Sequence, residues 1–235
     1  MPKNNSCSHY LGSTHQHLGC VSLVPIFNHL EPEQMQEIMQ VVRSVSFKKG
    51  EIMYNAGELS DSLYIVNQGQ IKIYHLTEDG KEQMIRLLNH GDFTGELALF
   101  QQSVHEAYAE AMVDSEICMI NGADLEKLLL KYPTIALKIL KEFSNRLAHS
   151  ERHTTSVATE RVETRLALYL VDLFEQAAGG QTITLPMSKK DLASFLGTTP
   201  ETLSRRLADF ETAGYIEQQG QRNIKLLNID DLLLV

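Results

Sequence analysis

The sequence predicts an α+β protein with three parts in series: a small antiparallel β-roll or barrel, one long helix, and a winged helix-turn-helix. Short alternating strands separated by glycines between about Ser46 and Ile120 predict the first part. A largely apolar repeat at alternating spacings of four and three, from Thr134 to about Thr159, predicts the second. The run MSKKDLASFLGTTPETLSRRLADFETAGYIEQQGQRNIKL, Met187 to Leu226, predicts the third: two short helices, a tight turn and a small hairpin follow one another there. The expected divisions are a tail over 1–20, a β-rich domain over 21–133, the long helix over 134–159 and the helix-turn-helix domain over 160–235.

The chain of 235 residues has room for one large domain or two modest ones. Its 43% apolar and 22% charged residues are the balance of a soluble globular protein. No apolar run approaches the ~18 residues that would cross a bilayer, and no signal-peptide pattern opens the chain. A cytoplasmic protein without a membrane partner is expected. The net charge of −9 looks unfavourable for a nucleic-acid binder, but the charge is unevenly placed. From Arg161 onward there are 8 Lys/Arg against 10 Asp/Glu, leaving 13 against 20 in the rest. The acidity is therefore mostly in the first parts, where a sensor rather than a nucleic-acid surface is expected.

Residues 1–20 are polar and without periodicity; such a tail is disordered by default. It carries Cys7, Cys20, His9, His15 and His17. After it, VSLVPIF is apolar, and EPEQMQEIMQVVRSV predicts a short amphipathic helix. The strand region follows as VSFKKGEIMYNAGE, SLYIVNQGQIKIYHL, MIRLLNHGDFTGELALF, AYAEAMV and SEICMIN, with Gly50, Gly57, Gly69, Gly80, Gly91 and Gly95 at the turns. His75, His90 and His105 are scattered through it and receive no role.

Asp124 starts a helix, LEKLLLKY, that stops before Pro133. In the next helix Ala136, Leu140, Phe143, Leu147, Ser150, Thr154 and Val157 alternate at spacings of four and three, the seam of a coiled coil. A length of about 26 residues, or ~39 Å at 1.5 Å per residue, exceeds what packing on its own domain requires. A homodimer helix is the better reading, and polar Ser150 and Thr154 weaken its lower half. A hinge is expected near Ala158 to Arg161. RVETRLALYLVDLFEQ then forms the first helix of the last domain, and TITLP a strand.

Within Met187–Leu226, Leu192, Ala193, Phe195 and Leu196 form the buried side of one helix, and Gly197 supplies a left-handed exit. Thr199 is the expected N-cap, Pro200 the first helical residue, and Glu201 suits the positive end of the helix dipole. Leu203, Leu207 and Phe210 face inward. The outward positions Glu201, Thr202, Ser204, Arg205 and Arg206 suit the DNA major groove. Arg is a bidentate donor to guanine, and Glu accepts from the cytosine amino group. The plain alternative is a solvated Glu201–Arg205 pair four residues apart, worth a few tenths of a kcal/mol.

LGTTPETLSRRLADFETAGYI resembles the recognition segment of the CRP/FNR superfamily of bacterial transcription regulators. The ETLSR core is similar to the FNR-type version, with Ser204 between the Glu and Arg readers. The catabolite-activator type usually has Gly there, and an extra Arg where this chain has Pro200. The resemblance implies that Glu201, Ser204 and Arg205 read bases and that the operator is a TTGAT-like inverted repeat. It also implies double-stranded DNA, a second copy of the chain and RNA polymerase as partners.

KKGEIMYNAGE, LYIVNQGQIKIY and GDFTGELALF resemble successive signatures of the cyclic-nucleotide-binding fold, which carries the resemblance back to about Val24. Gly95-Glu96-Leu97 is similar to the start of its phosphate-binding cassette. The Arg-Ser or Arg-Thr pair of nucleotide-binding members falls on Glu106-Ala107, and a carboxylate there repels phosphate. The Thr-Ser pair contributed by the dimer helix falls on Ser150-Glu151. The fold is expected without cAMP.

Three cysteines argue against a structural disulfide framework and for redox-active or metal-binding thiols. Cys118, in SEICMIN, aligns with the internal cysteine that oxygen-sensing FNR proteins combine with three closely spaced N-terminal ones. With only Cys7 and Cys20 in the tail, a four-cysteine iron–sulfur cluster is not expected. Within the superfamily the chain most resembles the FNR-like proteins (FLP) of lactic acid bacteria. That resemblance implies a reversible disulfide from Cys118 to Cys20 or Cys7. A zinc site from His15, His17, Cys20 and Cys118 is the other chemistry, and an axially ligated haem a more distant one. The plain alternative makes Cys118 a small buried apolar residue. Two function classes follow: a redox- or metal-responsive DNA-binding regulator, and an effector-dependent regulator holding a nucleotide or other small organic ligand in the β-roll. No P-loop, GxSxG or HExxH is present, and an enzyme is not expected.

Overall fold

A computed structural model describes residues 24–96, 103–177 and 180–235. The chain divides into two compact units, the first up to Ile71 and over Leu88–Glu142, the second Lys72–Leu87 with Phe143–Val235.

The first unit opens with α1 (Pro32–Val41), whose Glu31 N-cap and Gln34 form a capping box. The predicted helix ran on through Val45, but Val42–Phe47 is strand β1. The β-branched Val42 and Val45 are better satisfied in a ladder than in a helix. That ladder joins β1 antiparallel to β10 (Ser115–Asn121), which pairs on its other side with β4 (Ser62–Gln68). With β7 (Phe93–Thr94) the order is β1-β10-β4-β7. Leu63, Ile65, Phe93 and Ile120 share one buried face of this sheet. The short strands β2 (Ile52–Tyr54) and β9 (Tyr108–Ala111) pair, as do β3 (Leu59–Ser60) and β8 (Ser103–Val104). The antiparallel roll expected from the glycine-spaced alternation is present. Helix α2 (Gly122–Lys131) follows, capped by the Asn121 side chain.

Helix α3 runs from Pro133 to Thr159, 27 residues. Ile135 and Ile139 are buried on one side, while Leu137, Leu140 and Leu147 are about 60% exposed or more. Of the predicted seam, Leu140, Leu147, Ser150, Thr154 and Val157 are exposed, and Ala136 and Phe143 half-buried.

In the second unit, β5 (Ile71–Leu76) and β6 (Glu82–Leu88) form a hairpin that turns at Gly80. The buried Lys72 ammonium meets Glu82 across it at 2.6 Å. Helix α4 (Val162–Gln176) leads to β11 (Thr182–Thr184), α5 (Lys189–Phe195), α6 (Pro200–Thr212) and the wing strands β12 (Ile216–Gln219) and β13 (Asn223–Leu226). Strand β13 lies between β11 and β12, so the wing is a three-stranded sheet. A short helix, α7 (Ile229–Leu232), ends the fold. The break between α3 and α4 falls within the expected hinge. Gly197 adopts φ +65°, the left-handed conformation the turn between α5 and α6 demands.

Candidate nucleic-acid interface and sensor residues

The reading helix α6 is set by its buried side. Leu203, Leu207 and Phe210 are all buried, which turns Glu201, Ser204 and Arg205 outward into solvent. Its start is fixed by Thr199, whose hydroxyl accepts from the Thr202 backbone N–H at 3.2 Å. The Glu201 carboxylate is held below its usual pKa by its own backbone N–H and the Thr199 hydroxyl. It stays ionised and aimed from the helix N-terminus, as an acceptor for a base amino group must be.

Arg206 is placed differently from the sequence expectation. It is half-buried, with Nε 3.2 Å from Glu163 of α4 and Nη1 3.0 Å from Asp209. Two carboxylates of its own domain engage it, so it ties α6 to α4 rather than standing beside Arg205. Lys189 and Arg222, which the sequence reading passed over, line a shallow cleft with Ser188, Gly220 and Gln221 between α5 and the wing turn. Lys189 also bonds Gln218 of β12 at 2.7 Å. The signals were the KKD run after the Ser188 N-cap and an Arg beside the wing glycine. These cations suit phosphate, which positions a duplex without reading it.

In the β-roll, Gly95 has φ +83°, and a Cβ there would collide with the Ser62 carbonyl and the Tyr64 ring. The glycine opening the cassette is therefore sterically required. Glu106, where the resemblance places the Arg-Ser or Arg-Thr pair, is exposed in the bend between β8 and β9. Aromatic side chains of the roll pack on one another nearby. His105 stacks on Tyr54 with centroids 3.6 Å apart and 6° between planes, Tyr64 lies at 6.0 Å, and Tyr54 Oη bonds Thr94 Oγ1 at 3.1 Å. Desolvation holds the His105 imidazole below its ordinary pKa. Among the described residues, His105 Nε2 and Ser60 Oγ are buried without a hydrogen-bond partner.

Cys118 sits in the middle strand β10, opposite Ser44 of β1 and Ile65 of β4, and is 1% exposed. It is disulfide-bonded. The chain's other two cysteines, Cys7 and Cys20, lie outside the described residues, as do His15 and His17. No group of three His, Cys, Asp or Glu able to hold a metal occurs among the described residues. Nor is any helix there long and apolar enough to cross a membrane.

A family model described as a cyclic nucleotide-binding domain matches residues 44–132, and one described as a Crp-like helix-turn-helix domain matches 164–234. The chain is 33% identical over 213 residues to the probable transcriptional regulator flp of Lacticaseibacillus casei, covering 91% of this chain and 96% of that protein. The chain belongs to the CRP/FNR family of transcription regulators. Another member, the nitrogen fixation regulation protein FixK of Rhizobium meliloti, is 28% identical over 87% of this chain and 90% of its own. Among solved members, FixK2 from Bradyrhizobium japonicum superposes with a TM-score of 0.72 at 29% identity, over 82% of this chain and 96% of that one. The domain order seen here is that of the family: roll, long helix, DNA-binding domain.

A buried imidazole with a depressed pKa makes stability depend on pH. The unfolded chain binds the proton more readily, so the stabilisation is complete above the ordinary value of 6.5. It is lost as pH falls from there through the folded value. Thermal unfolding followed by circular dichroism should show a lower midpoint at acidic pH, and His105→Phe, which keeps the stack on Tyr54, should flatten that dependence.

Proposed function

We propose that this CRP/FNR regulator acts as a homodimer on a TTGAT-like inverted repeat and responds to redox state through Cys118. The observation that carries the DNA reading is the joint exposure of Glu201, Ser204 and Arg205 on one face of α6. Arg205 donates to guanine, Glu201 accepts from cytosine, and Ser204 is short enough to let both approach. Lys189 and Arg222 neutralise phosphate from the wing side, which supplies the salt-dependent part of the affinity. Two copies joined along α3 place two reading helices on two half-sites, and RNA polymerase is the further partner. The exposed leucines of α3 supply the apolar surface for that joining.

The sensing reading rests on the disulfide at Cys118. Oxidation removes two protons and two electrons from a pair of thiols, passing them to an oxidant, and ties β10 to the segment carrying the second cysteine. Cys20 is the proposed partner and Cys7 the alternative. A sulfur engaged in a disulfide is not a thiolate ligand, so a zinc site from His15, His17, Cys20 and Cys118 would belong to the reduced chain. A second reading places a small organic effector in the roll; the unpartnered Ser60 hydroxyl and His105 Nε2 favour it.

Three tests separate these elements. Arg205→Ala should abolish discrimination at one guanine–cytosine pair per half-site, costing about 1–3 kcal/mol per contact, as measured by competition against single-substituted duplexes. Retained preference would remove the reading face from α6. Leu140→Asp places a charge on the joining face of α3 and should give monomers in sedimentation. Cys20→Ser and Cys118→Ser should each abolish the same difference between oxidised and reduced DNA binding, and the double variant should add nothing. Parental behaviour in both single variants would reduce Cys118 to core packing.

A further inference from the structure

The first helix of the helix-turn-helix has only seven residues, and its C-terminal end sits immediately before the turn that launches the reading helix. A helix end leaves its last carbonyls without intrahelical partners. At α5 each is accounted for. Leu192 O accepts from the Leu196 N–H, and Ala193 O from the Thr198 N–H. Ser194 O accepts from the Gly197 N–H at 3.1 Å and from Gln83 Nε2 at 2.6 Å. Phe195 O lies 3.1 Å from His153 Nε2. Because a carbonyl only accepts, that imidazole nitrogen carries the hydrogen.

Two of these donors come from far along the chain. Gln83 is on β6 and His153 on α3, yet Lys72–Leu87 and the lower part of α3 belong to the same compact unit as the DNA-binding domain. The Ser194 hydroxyl strengthens the joint. It donates to Glu82 O at 2.6 Å and accepts from the Met84 N–H at 2.7 Å. Strand β6 is the end strand of its sheet, so these two backbone groups would otherwise form an unpaired edge. The Phe195 ring is held between His153, at 4.7 Å, and Tyr169, at 5.8 Å. Val157 of α3 stands against the turn: its Cγ1 is 3.4 Å from where a Cβ on Gly197 would project.

We infer that Gln83, Ser194 and His153 are positioning residues for operator binding: they fix the end of α5, and with it the turn that aims α6, without reading DNA themselves. The inference rests on the DNA reading proposed above. In this arrangement Glu201, Ser204 and Arg205 remain exposed, so the joint is compatible with base contact. Loosening it gives the turn freedom that binding must remove, which weakens affinity. The base and phosphate contacts themselves are untouched. Discrimination between bases and the slope of affinity against salt should therefore stay as they are.

The test uses the full-length protein and a duplex carrying the inverted repeat. Gln83→Glu replaces a donor with an acceptor of the same shape, and His153→Phe keeps the ring but removes the donor. Each should weaken operator binding roughly three- to tenfold, with unchanged salt slope and unchanged base preference. His153→Gln, which restores an amide donor, should recover most of the loss. Hydrogen exchange on the free protein gives an independent readout: amides from Phe195 to Thr199 should exchange faster in Gln83→Glu and His153→Phe. Unchanged exchange there, or faster exchange with parental affinity, overturns the inference. A variant that binds more tightly also overturns it, because the joint would then be inhibitory. A parent that binds the repeat no better than a scrambled duplex removes the DNA reading itself, and the positioning role with it.

Discussion

The burial of Leu203, Leu207 and Phe210 is the constraint on which the reading surface depends. Each side chain removed from water contributes about 1.5–3 kcal/mol, and together they leave α6 only one rotation about its own axis. A rotation by one residue, about 100°, would expose a leucine and bury a charge. The polar face is thus aimed by apolar chemistry. Arg206 adds a second restraint, because its pairing with Glu163 and Asp209 joins α6 to α4 as well as to the core. These ion pairs engage two of the domain's carboxylates, and hydrogen bonds engage others. Asp191 bonds Ser188 and Glu211 bonds Gln218, so part of the acidity read from the sequence serves to fix local structure.

Much of this architecture was legible in the residues. The helix-turn-helix could be read because its signals agree at every level: Thr199 as cap, Gly197 as exit, and leucines at helical spacing. The wing and the long α3 were legible for the same reason. The α1–β1 boundary was not, since QVVRSV carries apolar residues that fit either period until β10 supplies a partner. The ion pairs of Arg206 were not legible, because sequence spacing places it beside Arg205 and says nothing of Glu163, 43 residues earlier. His105 was passed over because no local pattern marks a residue whose partners are Tyr54 and Tyr64, half a domain away in sequence. Long-range ring stacking and ion pairs decide these positions, and neither leaves a periodic trace.

The two ends of the β-roll's relation to nucleotides separate in a similar way. Gly95 keeps the backbone path of the cassette because no side chain fits beside Ser62 and Tyr64. Glu106 presents an exposed carboxylate where the family resemblance places a cation for the phosphodiester. The stacked Tyr54 and His105 occupy interior volume with side chains that need no ligand to pack.

The position of Cys118 sets the pace of whatever passes through it. Strand β10 is hydrogen-bonded on both sides, by β1 and by β4, and the side chain is 1% exposed. Thiol–disulfide exchange needs an attacking sulfur to reach its target in line, so a shielded sulfur reacts only during local opening. The rate then follows the opening frequency and becomes insensitive to reagent concentration once reagent is abundant. Placed in a central strand, the sulfur can exchange no faster than the strand around it opens.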